Sequence, residues 1–166
     1  MRSSCKPVAL VAFVTFVLSG CASKLNPYYW FVDRETTLNL TLSAGKEINN
    51  SRSEVPSPLV VRLYELKSAE LFQSADFLGI FLRDSKILQQ SLVKKRRLPS
   101  IKPGGQFAKK YTLDKSTSYV ALFGEFEDYN SAVPSVIYKV TKGDDNNLKV
   151  LINDDSLRMV SDNKSS

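Results

Sequence analysis

Histidine is absent from the 166 residues of the sequence. Imidazole is the side chain that most often exchanges protons near neutral pH, and it is the commonest metal ligand. Its absence excludes the Ser-His-Asp and Cys-His arrangements of many hydrolases, and any zinc site that needs a histidine. Much of hydrolytic chemistry is therefore ruled out.

The chain also lacks an apolar run long enough to span a bilayer as a helix. The run at residues 8–18 is too short, and it follows the basic residues Arg2 and Lys6. A basic start, an apolar stretch of this length and small residues behind it are typical of an export signal. We therefore expect residues 1–20 to be a signal peptide that is removed.

The signal ends in the segment LSGC at residues 18–21, which resembles the lipobox of bacterial lipoproteins. The resemblance implies that Cys21 becomes the first residue and carries diacylglycerol and an N-linked acyl chain such as palmitate. Ala22 in the next position implies sorting to the outer membrane, facing the periplasm. The alternative is an ordinary signal peptide that is cut near Ala22, with Cys21 incidental.

Only one other cysteine exists, Cys5, and it lies within the predicted signal. The mature protein would therefore have no thiol for a disulfide, a metal site or a nucleophile, and it must be stabilised by an apolar core. We expect residues 21–35 to form a lipidated tether. Its aromatic run at residues 28–31 either lies at the membrane interface or packs over one end of the domain.

Alternation of apolar and polar residues predicts short strands in the rest of the chain. The predicted strands cover residues 36–42, 59–66, 107–113, 118–126, 136–140, 148–152 and 157–160. Those at 136–140 and 148–152 are expected to form a hairpin. Apolar spacings of three and four instead predict two or three short helices within residues 68–97. The pattern favours a mainly β protein, a β-sandwich over residues 36–160 with a helical insertion at 68–97 and a polar tail at 161–166.

Residues 43–58 are mostly turn formers without periodicity. A loop of this length in a compact domain is often functional, and the ends of sandwiches commonly carry recognition loops. We interpret it as a docking loop, the alternative being a plain connection. The candidate partner-binding residues are Gly45, Lys46, Glu47, Ile48, Asn49, Asn50, Ser51, Arg52, Ser53, Glu54 and Val55.

Other charged or nucleophilic patterns have simpler explanations. Ser43 and Lys46 match a Ser-x-x-Lys spacing that recurs by chance in a chain rich in both residues. The acidic pairs at 144–145 and 154–155 suit turns better than a metal site. The basic run at 94–97 is expected to close a helix, with anionic lipid as the alternative contact. We therefore predict no enzyme, no metal and no nucleic-acid partner.

The order of these features is similar to the TssJ family, also called VasD or Lip, the outer-membrane lipoproteins of the type VI secretion system. The similarity is carried by the lipobox, residues 58–68 (PLVVRLYELKS), Ala75-Asp76-Phe77, the Pro103-Gly104 turn and residues 119–128 (YVALFGEFED). The resemblance implies a transthyretin-like β-sandwich with a small helical addition. It implies no catalysis, no small-molecule substrate and no cofactor beyond the lipids on Cys21.

The family's loop between its first two strands holds the periplasmic domain of the inner-membrane protein TssM, and through it the rest of the membrane complex. Carried onto this chain, that loop is residues 43–58, in which Asn49-Asn50 stands where the family often has Asn-Pro. The competing hypothesis is a periplasmic lipoprotein that binds a small apolar or cell-wall-derived ligand between the sandwich and the helices.

Overall fold

The computed structural model describes residues 34–50 and 55–160. The predicted signal, the tether up to residue 33, residues 51–54 and the tail at 161–166 lie outside the described residues. The described chain contains eight strands and two helices, which follow in chain order: β1 (Thr37–Ile48), β2 (Val61–Leu66), α1 (Glu70–Ser74), α2 (Phe77–Leu88), β3 (Leu92–Arg97), β4 (Gln106–Thr112), β5 (Tyr119–Gly124), β6 (Ser135–Lys139), β7 (Asp145–Asp154) and β8 (Ser156–Met159).

The strands form two four-stranded sheets, with the orders β4-β1-β7-β8 and β3-β2-β5-β6. Neighbouring strands are antiparallel except β1 and β7, which run parallel with Leu40 beside Leu148. The apolar faces of the two sheets meet in one core, to which β1 contributes Leu38, Leu40 and Leu42. The alternation that predicted a half-buried first strand is therefore confirmed.

The helices cover the outer face of the second sheet. Asp76 caps α2 by accepting a hydrogen bond from Gly79 N at 2.7 Å. A second apolar cluster lies between helices and sheet and consists of Tyr64, Leu66, Phe72, Ile80, Leu88, Ala121 and Phe123. Strand β5 is thus apolar on both faces, as its continuous apolar run predicted. The predicted fold class, a transthyretin-like β-sandwich with a short helical insertion, is confirmed.

Three local predictions are wrong. Strand β1 continues through the first part of the expected loop, because Ala44 pairs with Ile152 of β7 and, after a bulge, Ile48 pairs with Asp154. The basic run at 94–97 lies in β3 and does not close a helix, since it pairs with β2. The helical part therefore ends with a 3₁₀ turn at Gln89–Ser91.

The third wrong prediction is the hairpin of residues 136–140 and 148–152. Strand β6 pairs with β5 in the second sheet, whereas β7 pairs with β1 and β8 in the first. The turn between β6 and β7 therefore crosses from one sheet to the other, and Gly143 supplies its positive φ of 71°. In the described part of the chain, no helix combines the length and the apolar composition that crossing a membrane requires.

Candidate docking loop and its root

The connection between β1 and β2 is shorter than the sequence suggested. Gly45, Lys46 and Glu47 belong to β1, and Ile48 ends that strand with a fully buried side chain. Asn49 is buried as well, with 2% of its surface exposed. Val55 is 62% exposed, so an apolar side chain faces water on the far side of the connection. Lys46 and Glu47 remain exposed although they lie in β1. The residues available to a partner are therefore these two and those between Asn49 and Ser57, of which 51–54 lie outside the described residues.

Asn49 joins the two ends of this connection. Its Nδ2 donates to Ser57 Oγ at 2.8 Å, and Ser57 Oγ in turn donates to the carbonyl oxygen of Asn49 at 3.0 Å. Its Oδ1 accepts a hydrogen bond from the backbone N–H of Glu127 at 2.9 Å. One buried amide thus ties together the end of β1, the segment that leads into β2 and the segment after β5. We call Asn49, Ser57 and Glu127 the loop root.

Backbone hydrogen bonds complete the loop root. Asn49 N donates to Asp154 O at 2.9 Å, and Ser57 N donates to Ile48 O at 3.2 Å. Asn49 has a φ of 50°, a left-handed conformation that asparagine tolerates better than most residues with a Cβ. The sequence alone did not show this position as special, although Asn at the end of an apolar strand is consistent with such a turn.

A second turn supports the same end of β1. Gly104 N donates to Gly45 O at 2.7 Å, and Ala44 N donates to Gly105 O at 2.9 Å. Gly104 has a φ of 70°, which favours glycine at this position. The Pro103-Gly104 turn therefore holds the last residues of β1 from the β4 side while Asp154 holds them from the β7 side.

Carboxylates surround the loop root. Glu127 Oε1 lies 3.2 Å from Ser57 Oγ, so it is an alternative acceptor to the Asn49 carbonyl oxygen for the single hydroxyl hydrogen. Burial raises the pKa of Asp155 above its ordinary value, and the nearby charges of Asp128, Asp154 and Glu127 raise it further. Across residues 34–50 and 55–160, no grouping of acidic or sulfur side chains could hold a metal ion. Asp128, Asp154 and Glu127 thus lie close enough to Asp155 to disfavour its ionised form.

The described domain begins at the opposite end from the loop root. Thr36 O accepts a hydrogen bond from Leu113 N at 2.9 Å, and Thr37 N donates to Asp144 O at 3.1 Å. From there β1 runs for 12 residues. At about 3.3 Å per residue, the strand separates the two ends by roughly 35 Å. The first described residues of the domain thus lie at one end, and the loop root lies at the other.

A cleft of about 470 Å³ lies between α2 and β3, where the competing hypothesis required an apolar pocket. Its lining is charged instead and consists of Arg62, Phe81, Asp84, Lys95, Arg96, Arg97 and Glu125. Arg62 Nε contacts Glu125 at 2.5 Å, and Lys95 Nζ contacts Asp84 at 2.8 Å. The cleft does not have the mainly apolar lining of a pocket for a small apolar ligand.

Asp84 is the central acceptor of this cleft. Its Oδ2 accepts a hydrogen bond from the Tyr64 hydroxyl at 3.0 Å, and Arg62 lies 3.4 Å from the same oxygen. Burial acts to raise the pKa of Asp84, but hydrogen bonds from Lys95, Tyr64 and Ser85 outweigh it and hold the pKa below its ordinary value. Sequence reasoning missed this network, and the only signal available was that Arg62 and Tyr64 share one face of β2.

Comparison with known proteins identifies one family and several solved structures with a similar fold. Residues 36–155 match the model of the type VI secretion lipoprotein family that includes VasD, EvfM and TssJ. No curated protein matches the chain by sequence. The fold is similar to the crystal structure of the lipoprotein TssJ1 from Pseudomonas aeruginosa, at 24% identity and a TM-score of 0.72, over 76% of this chain and 95% of that one.

Two further structures are similar at the same coverage of this chain, 76%. A chain of a type VI membrane complex matches at 25% identity and a TM-score of 0.67, over 98% of its length. A chain in the structure described as the C-terminal domain of the type VI protein TssM from EAEC matches at 23% identity and a TM-score of 0.64, also over 98% of its length.

Proposed function

The chain belongs to the type VI secretion lipoprotein family, and we propose that it is the lipoprotein that ties a type VI membrane complex to the outer membrane. The family is a structural component of the secretion system and not a family of enzymes. In this proposal Cys21 carries the lipid, and the domain faces the periplasm. The supporting features are the lipobox at residues 18–21 and Ala22 behind it.

The proposed partner is the periplasmic domain of TssM, held by the connection between Asn49 and Ser57. The observation that carries this is the loop root: a buried asparagine fixes both ends of the connection about 35 Å from the end at which the domain begins. A lipid anchor on the tether side would leave that end free to meet a protein that comes from the inner membrane. A matched membrane complex and a matched structure described as TssM support the choice of partner.

A fixed root favours binding because less freedom is lost on association. Side chains that are presented from two anchored ends need less ordering than those of a free loop. Confinement of both proteins to the same envelope also raises their effective concentration. A modest affinity between the connection and TssM would therefore be sufficient.

The test replaces residues 50–56 by a Gly/Ser segment of equal length and keeps Asn49 and Ser57. We expect the variant to lose co-purification with TssM from detergent-solubilised envelope, while its melting temperature stays close to that of the native protein. The control changes Lys142→Ser and Asp144→Ser in the turn at the opposite end, which should leave co-purification intact. Retained co-purification by the loop variant would place the TssM contact elsewhere on the domain.

A further inference from the structure

One side of the sandwich is basic. Strands β3 and β4 are each the outermost strand of their sheet, and they lie on the same side, because the Arg96 guanidinium of β3 lies 5.1 Å from the ring centroid of Tyr111 on β4. Together they carry six basic residues, which we call the basic flank: Lys94, Lys95, Arg96, Arg97, Lys109 and Lys110.

The carboxylates near the basic flank only partly balance it. Glu65 is fully buried against Arg96, and Glu125 is shared by Arg62 and Arg97. Asp84 pairs with Lys95 at 2.8 Å, and Asp145 pairs with Lys110 at 3.0 Å. The side chain of Arg97 is nevertheless 67% exposed, and that of Lys95 is 48% exposed. Cationic side chains that are partly exposed to solvent therefore line the outer edge of β3.

The backbone of β3 adds a second feature. On one side it pairs with β2, and on the other side no strand of the described residues pairs with it. Alternate N–H and C=O groups of an edge strand can accept an additional strand. The cleft beside this edge, with Phe81 and Arg97 in its walls, leaves room for side chains of such a strand.

We propose that the free edge of β3 binds an extended acidic segment of a protein partner, which adds to the second sheet as a further strand. The carboxylates of that segment would meet Lys94 on one face and Lys95 and Arg97 on the other. The same positive charges keep two copies of this chain from pairing edge to edge, because like charges repel. The edge of β3 therefore repels the same edge of a second copy, whereas it can bind a strand of opposite charge.

This site is separate from the loop root. The connection between Asn49 and Ser57 lies at the end of the sandwich, whereas the basic flank runs along its side. The proposal therefore does not depend on the function proposed for the loop. The variant with residues 50–56 replaced should bind an acidic segment as well as the native chain does.

The experiment measures fluorescence anisotropy of a labelled, end-blocked peptide of two Glu-Glu-Thr-Thr repeats, the Glu-Thr peptide, against the full chain in neutral detergent. As an extended strand, this peptide has carboxylates on both faces. We expect saturable binding that weakens as salt is raised. The double change Lys94→Gln and Arg97→Gln should weaken binding about tenfold, since two exposed ion pairs are lost. The matched control, Lys139→Gln and Lys142→Gln, removes the same charge from the end of the other edge strand, β6, and from the turn after it, and should leave binding unchanged.

Three further probes separate strand addition from other contacts. A Gln-Thr peptide and a Glu-Thr peptide with alternate N-methyl groups should both fail to bind. Equal binding of the N-methyl peptide would overturn strand addition, and equal loss in the control variant would overturn the assignment to β3. Binding of dihexanoyl phosphatidylglycerol without binding of the Glu-Thr peptide would assign the flank to lipid phosphate and overturn the proposal.

Discussion

Glu65 and Arg96 form an ion pair between the neighbouring strands β2 and β3, with the carboxylate of Glu65 fully buried. The remaining oxygen of Glu65 accepts hydrogen bonds from Asp114 N and from Thr117 Oγ1, both at 2.9 Å. A single buried carboxylate thus connects two strands to the turn that precedes β5. The charge is tolerated in the interior because each oxygen has a partner.

Arg96 and its neighbour Arg97 should differ in what they contribute to stability. Arg96→Met removes the cation from a buried carboxylate and should lower the free energy of unfolding by about 3 kcal/mol. Arg97→Met removes an exposed partner of Glu125 and should cost less than about 1 kcal/mol. Urea unfolding of both variants measures the difference, and equal losses would contradict a structural role for the Glu65–Arg96 pair.

Asn49 should be replaceable by glycine more easily than by alanine. Both changes remove the side-chain hydrogen bonds to Ser57 and Glu127 and should lower the free energy of unfolding by about 2 kcal/mol. Alanine adds the strain of a positive φ, about 1 kcal/mol more, which glycine avoids. Denaturant unfolding of the two variants gives this order. Identical stabilities would show that the backbone at position 49 relaxes.

The sequence predicted the structure best at positions where it does not matter which strands lie beside a given strand in the sheet. The alternation at Leu38, Leu40 and Leu42 placed those side chains in the core, and the unbroken apolar run at 119–123 indicated a strand covered on both faces. Both patterns report burial directly, because the period of side chains along a strand is two. The sandwich and its helical cover followed from such patterns together with the family resemblance.

The errors arose where distant pairing decides the structure. Ala44 pairs with Ile152, more than a hundred residues away, and that pairing extends β1 into a segment of turn formers. The basic run at 94–97 looks like a helix end until β2 is beside it. The burial of Asn49 and the contact between Arg62 and Glu125 likewise depend on residues far apart in sequence, so local patterns could not show them.

Asp155 should destabilise the folded protein at neutral pH. Its pKa is raised in the folded state, first by burial and then by Asp128, Asp154 and Glu127. The protonated form of Asp155 therefore stabilises the folded protein. This contribution is fully present below the pKa of about 3.9 that an aspartate has in the unfolded chain, and it is lost as pH rises through the pKa of Asp155 in the folded protein. Asp155→Asn should raise the free energy of unfolding at pH 7, by no more than about 0.5 kcal/mol because water screens the charges.

The matched control for this pH dependence is Asp145→Asn. The pKa of Asp145 is lowered by hydrogen bonds from Thr37 and Lys110, so its ionised form stabilises the fold above the unfolded pKa and that stability is lost as pH falls. The two variants should therefore shift the melting temperature at pH 7 in opposite directions, and both shifts should become smaller as pH falls. A lower melting temperature for Asp155→Asn at pH 7 would contradict the raised pKa.

Cys21 should decide whether the protein is held at the membrane. Cys21→Ser should abolish incorporation of labelled palmitate and release the chain from the membrane fraction, because two or three acyl chains on one residue hold far more firmly than one. It should also abolish type VI secretion, since the proposed partner then loses its connection to the outer membrane. Cys5→Ser is the control, and it should leave labelling and fractionation unchanged because that residue lies in the segment that we expect to be removed. Normal secretion by Cys21→Ser cells whose protein is shown to be unlabelled would refute the anchoring role.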